Sequence, residues 1–146
     1  MSDYEHDFYT WTQEQARALR EGRFTELDIE HLAEEIEDMG KSEARGLQAQ
    51  IERLIAHLLK WAYQPEARAW QGNSWQASIS DARDRINERL TESPGLRPRL
   101  PELFRKAYRG GINWAVRETN LPRSRFPSDC PWTLERAMDE QFWPDS

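Results

Sequence analysis

Cysteine is nearly absent from this chain: Cys130 stands alone among 146 residues, which excludes an intramolecular disulfide and any zinc site built on several cysteines. No apolar run approaches the roughly 20 residues that span a bilayer. The opening MSDYEHDF has neither the basic flank nor the apolar stretch of a secretory signal, so a cytoplasmic location and no membrane partner are expected. Lysine is scarce, with only Lys41, Lys60 and Lys106, while 17 of the 20 basic residues are arginine. No glycine-rich phosphate loop occurs; Gly110 and Gly111 are consecutive inside a helical pattern, where they suit close packing. Strand-like alternation and internal repeats are also missing, which leaves an all-α chain.

What is there is one long apolar stripe. At about 100° per residue, Ile29, Leu32, Ala33, Ile36, Leu47, Ile51, Leu54, Leu58 and Ala62 fall on one face of a helix over 28–62. Asp28 precedes the pattern as an N-cap and Pro65 follows it. As one straight rod this element would be about 52 Å long, against a radius of gyration of about 15 Å expected for a compact chain of this length. Gly40 in the middle of the face permits a bend or a close helix approach. The preferred reading is therefore a helix kinked near Gly40, with segments 28–39 and 41–62; the other is a straight helix whose overhang is buried in a homodimer.

The remaining elements follow from phase and from stop signals. A first helix is expected over 8–21, with Gly22 ending it. The stretch YQPEARAWQGNS reads as a loop, with Ser74 capping a helix over 75–91 that carries Trp75, Ile79, Ala82, Ile86 and Leu90 inward. Ser93 caps a restart through ESPGLRP, and a helix over 98–119 turns Leu100, Phe104, Ala107, Gly111, Trp114 and Ala115 inward before Asn120 stops it. A short helix near 132–141 closes the chain. The expectation is a single all-helical domain over 1–146, a bundle of five to six helices.

Charge is segregated. Residues 1–40 carry net −9, residues 41–125 net +7 and residues 126–146 net −4. The acidic ends either pair with the basic middle, within the chain or across a dimer, or the middle binds a polyanion. Arginine suits both readings through its bidentate geometry.

Charged and polar residues that fall at apolar phase mark the candidate site. Glu43 lies inside the stripe of the central helix, Glu118 inside that of the helix over 98–119, and Arg83 at the edge of that over 75–91. Unpaired buried charges cost several kcal/mol, roughly, so such residues must find partners. Glu118, near a helix C-terminus where the dipole disfavours a carboxylate, needs a cation, with Arg83 or Arg117 at hand. His57 borders the central stripe. Together Glu43, His57, Arg83 and Glu118 form a candidate interhelical polar cluster, read first as an ion-pair network fixing helix register and second as a small-ligand pocket. No catalytic set, cofactor or metal is assigned. His31 has Glu34 and Glu35 at helical spacing, but its phase is opposite the stripe and points to a solvated face. Cys130, between Asp129 and Pro131, has no adjacent cation to activate it.

Seven ordered words then carry a resemblance: DFYTW, HLAEEIEDMGKSE, HLLKWAYQPE, SW followed by Ile79 and Arg83, ESPGLR, ETNLP and FPSDCPWTLE. In this order the chain resembles the bacterial DUF29 family over nearly its whole length. The resemblance implies an all-helical bundle and no activity, since the family has no assigned function; Glu43, His57, Arg83 and Glu118 fall within its words. The functional expectation is a small protein-interaction or regulatory module whose partner is another protein or a second copy. A nucleic-acid binder using the arginine-rich middle is the alternative, and an enzyme or small-ligand binder built on the polar cluster is the third reading.

Overall fold

The computed structural model describes residues 3–145; Met1, Ser2 and Ser146, the outermost residues of the expected 1–146 span, lie outside the described residues. The chain is all-α: α1 (Phe8–Arg20), α2 (Ile29–Tyr63), α3 (Arg68–Glu92), α4 (Leu100–Thr119) and the short α5 (Leu134–Met138), with no strand among the described residues. It forms two compact units, Met1–Glu43 and Ala44–Ser146, and α2 contributes its N-terminal part to the first and the remainder to the second.

In the first unit, the Asp7 carboxylate accepts the Thr10 N–H at 3.1 Å and starts α1. Gly22, at φ 72°, ends it. The Arg23 N–H reaches the Ala18 carbonyl and the Gly22 N–H the Leu19 carbonyl, the paired bonds of a Schellman stop. Buried Trp11 and Gln15 then hold the entry to α2: the Trp11 indole N–H donates to Asp28 Oδ2 at 3.1 Å, and Gln15 Oε1 accepts the Asp28 N–H at 2.8 Å.

α2 runs through Gly40 as one helical element, where two segments are expected from the sequence. Nothing among the described residues approaches within 4 Å of where a Gly40 Cβ would sit, so no close helix approach occurs there. The stripe itself has two fates. From Leu47 onward Leu47, Ile51, Leu54 and Leu58 are fully buried, whereas Ile29 and Ile36 are 65% and 63% exposed.

The second unit is built on the C-terminal part of α2, which is apolar on every side from Leu54 to Ala62 and buried accordingly. Ile79, Ala82 and Ile86 of α3 and Leu103, Ala107 and Ala115 of α4 share its core. Each fully buried Leu or Ile contributes about 1.5–3 kcal/mol. The inward face of α4 is rotated from expectation: Leu103, Tyr108 and Ile112 are buried, while Leu100, Phe104 and Trp114 are only partly so. One reason is the Tyr108 hydroxyl, which donates to the Pro127 carbonyl at 2.6 Å and draws its ring inward.

The expected loop before α3 is instead a 3-10 turn, Pro65–Ala67, running straight into helix at Arg68. Arg68 explains the early start. Its Nε and Nη2 donate to the Trp61 carbonyl at 2.9 and 2.6 Å, satisfying the end of α2, and its guanidinium lies 4.8 Å from the Trp61 ring centre. Gly72 is buried and a Cβ there would meet Trp61 at 3.6 Å, so packing offsets its low helix propensity of about 1 kcal/mol. Ser74 is thus helical and caps nothing, and Ser93 makes no side-chain cap bond. Asn120 does stop α4 in the left-handed conformation, at φ 59°.

Candidate functional site

Among the four residues singled out by phase, the structure links two. Glu118 on α4 accepts from the Lys60 ammonium of α2 and from the indole N–H of Trp114, one turn earlier on α4, both through Oε2. His57, one turn before Lys60, sets its ring edge-on to Trp114 with centroids 5.5 Å apart, and its Nδ1–H donates to the Arg53 carbonyl at 2.8 Å. His57 and Glu118 therefore share Trp114 as a common neighbour.

Arg83 does other work. It is 3% exposed; its Nε donates to the Ala137 carbonyl and its Nη2 to the Phe142 carbonyl, each at 2.9 Å, with the guanidinium 5.4 Å from the Trp143 ring centre. It pins the C-terminal segment, and the cation that Glu118 requires is Lys60, not Arg83 or Arg117. Glu43, the last residue of the first unit, is exposed, because the stripe it belongs to is itself uncovered there.

Lys60 was missed by phase because it lies on the side of α2 opposite the stripe. The signal that could have found it is the run LIAHLLKWA, in which apolar residues occupy every angle of the helix and Lys60 is the one full-time charge. It is 6% exposed, so its ammonium requires a partner. Burial raises the Glu118 carboxyl, but the hydrogen bonds from Lys60 and Trp114 outweigh it and hold the group below its ordinary value.

Beside this pair lies a cavity of about 320 Å³ between the end of α2, the start of α3 and the end of α4. Lys60 and Glu118 line it together with Gln64, Gln71, buried Trp75 and Trp70, which is 70% exposed. The early start of α3 creates it, since Trp70 and Gln71 would otherwise sit on a loop.

The basic middle is in large part used within the second unit. Arg53 bonds Asp81 at 2.6 Å, Arg68 and Arg83 bond backbone carbonyls, and Arg123 bonds Asn113. Burial pushes the Cys130 thiol up to about 11, so it carries almost no thiolate at neutral pH. No group of three or more metal-ligating side chains converges among the described residues.

His31 is not on a solvated face. Its ring stacks on Tyr4 with centroids 4.0 Å apart, and its Nδ1–H donates to Asp28 Oδ2 at 2.7 Å, while the Tyr4 hydroxyl donates to Glu35. The hydrogen bond to Asp28 raises His31 above its ordinary 6.5, and the same bond holds Asp28 below its ordinary 3.8. Burial lowers His57 below 6.5 against the pull of its bond to Arg53. The signs oppose. The His31 contribution is fully present below 6.5 and lost as pH rises through its raised value; the His57 contribution is present above 6.5 and lost as pH falls through its lowered value. Imidazole proton shifts followed from pH 5 to 9 should therefore give midpoints on either side of 6.5, and Asp28→Asn should return only the upper one towards 6.5. An upper midpoint unmoved by that substitution would mean the Asp28 bond does not form in solution.

Fold and site together define an all-α protein in which a buried lysine pairs with a half-exposed glutamate beside a polar, tryptophan-walled cavity. No helix among the described residues is long and apolar enough to cross a membrane. The chain belongs to the DUF29 family, a domain of unknown function, whose family model matches residues 4–143. No curated protein and no solved structure matches it.

Proposed function

We propose that the chain is a protein-interaction module of the bacterial cytoplasm, with the uncovered face of α2 in the first unit as its contact surface. The observation that carries this reading is the split fate of one stripe: Ile29, Ile36 and Met39 are 65%, 63% and 60% exposed on the same helix whose later stripe residues are fully buried. Scattered exposed apolar residues need no explanation. Three on one helix face, at spacings of seven and three residues, do, since water contact with such a ridge is what a partner surface removes. Phe24 of the same unit adds an exposed ring. Exposed Glu30, Glu34, Glu37 and Asp38 flank the ridge, so the surface it fits has an apolar groove and a basic rim.

The test is a photo-crosslinking side chain placed at position 36 in cells, with position 76 on the exposed side of α3 as the control. A discrete product of one mass at position 36 and none at position 76 supports the reading, and a mass of twice 17.3 kDa identifies the partner as a second copy. Equal labelling at both positions removes it.

A further inference from the structure

The cavity at the end of α2 belongs wholly to the second unit, and its lining is specific in chemistry. Lys60 offers ammonium protons beyond the one that Glu118 accepts. Both hydrogen bonds to Glu118 fall on Oε2, and among the described residues Oε1 accepts none. Two opposite charges thus present open valences side by side. The carboxamides of Gln64 and Gln71 add neutral donors and acceptors, and Trp75 and Trp70 supply an inner wall and an outer flap of indole. At about 320 Å³ the space is at the small end of ligand pockets.

We propose that this cavity binds a small zwitterion with an apolar or aromatic body, the chemistry of a free α-amino acid. The ligand carboxylate takes the remaining Lys60 protons, its ammonium group donates to Glu118 Oε1, and its side chain lies between the indoles of Trp70 and Trp75. A ligand of either net charge would leave one member of the Lys60–Glu118 pair facing a like charge, which is why a neutral molecule bearing both signs fits best. The exposure of Trp70 follows as well: a rim indole left 70% exposed in the free protein gains contact area from the ligand.

The probe is L-phenylalanine, titrated into the full chain while the Trp70 indole N–H resonance, assigned through Trp70→Phe, is followed by NMR. A saturable shift of that resonance is expected, with affinity reduced about tenfold or more by capping either charge of the probe, as the methyl ester or the N-acetyl form. Trp70→Ala, an exposed substitution that leaves the core untouched, should weaken binding about tenfold, as should Glu118→Gln. No saturable shift up to about 10 mM probe overturns the proposal, as does binding indifferent to both caps, which would reveal only hydrophobic adsorption to Trp70. If Glu118→Gln unfolds the chain, the capped probes and Trp70→Ala decide the matter on folded protein.

Discussion

Arg83→Met is expected to lower stability by about 2–4 kcal/mol and to release the C-terminal segment selectively. The guanidinium donates to the Ala137 and Phe142 carbonyls, both at 2.9 Å. Hydrogen bonds from a charged donor contribute about 1.5–3 kcal/mol each, and the carbonyls left behind lose their partner without regaining water where the residue is buried, as Ala137 is. Methionine retains most of the side-chain volume, so the loss reports the bonds and not a cavity. Trp143 loses a cation 5.4 Å from its ring centre but keeps Trp61, whose centroid is 5.0 Å away. Lysine at position 83 can serve one carbonyl but not two through a planar fork, so Arg83→Lys should recover less than half the loss. Urea unfolding gives the global value, and amide exchange over 137–143 reports the local release. A global loss with unchanged exchange in that segment would show that the two carbonyl bonds are not what Arg83 contributes.

Gly111→Ala and Gly40→Ala should have opposite signs although both glycines lie inside helices. A Cβ at Gly111 would stand 2.7 Å from Ile55 Cγ2 and 3.0 Å from Ile55 Cβ. Ile55 is fully buried in the core and cannot swing away, so overpacking costs about 1–3 kcal/mol, more than the roughly 1 kcal/mol that alanine gains in helix propensity. At Gly40 nothing lies within 4 Å and only the propensity gain remains, so Gly40→Ala should stabilise by about 0.5–1 kcal/mol. Thermal unfolding of the two variants side by side provides the check. Destabilisation by Gly40→Ala would show that the helix needs a bend at that glycine.

These two glycines also show why the site was only half legible beforehand. Their helical context could be read from periodicity alone, and the ends of α1 and α4 followed from Gly22 and Asn120, which reach the left-handed region cheaply. Which glycine meets a neighbour depends on residues more than fifty positions away, and no local pattern encodes that distance. The same holds for the polar set. Phase marked Arg83, which is 3% exposed, as a residue requiring partners, since an unpaired charge in a core is costly wherever it lies; Glu118, placed by phase inside a stripe, has a half-exposed side chain, because the inward face of α4 is rotated away from it. Phase could not say that Lys60 would answer Glu118 or that Arg83 would hold the backbone of residues 137 and 142. Trp70 and Gln71 were hidden for a different reason: Pro65, Gly72 and Asn73 signal a loop, and only Arg68 bonding back to the Trp61 carbonyl makes helix the better solution.

What the sequence determined by itself is the all-α class, the long stripe of α2 and the places where most helices stop, because these depend on short-range sterics and on a period of 3.6 residues. Tertiary structure alone decided which part of that stripe is covered. Ile36 and Leu58 share a phase, yet one is 63% exposed and the other fully buried. A stripe records that a helix can bury a face; whether it does depends on other segments of chain arriving there, and α3 and α4 bring their core residues to the later part of α2.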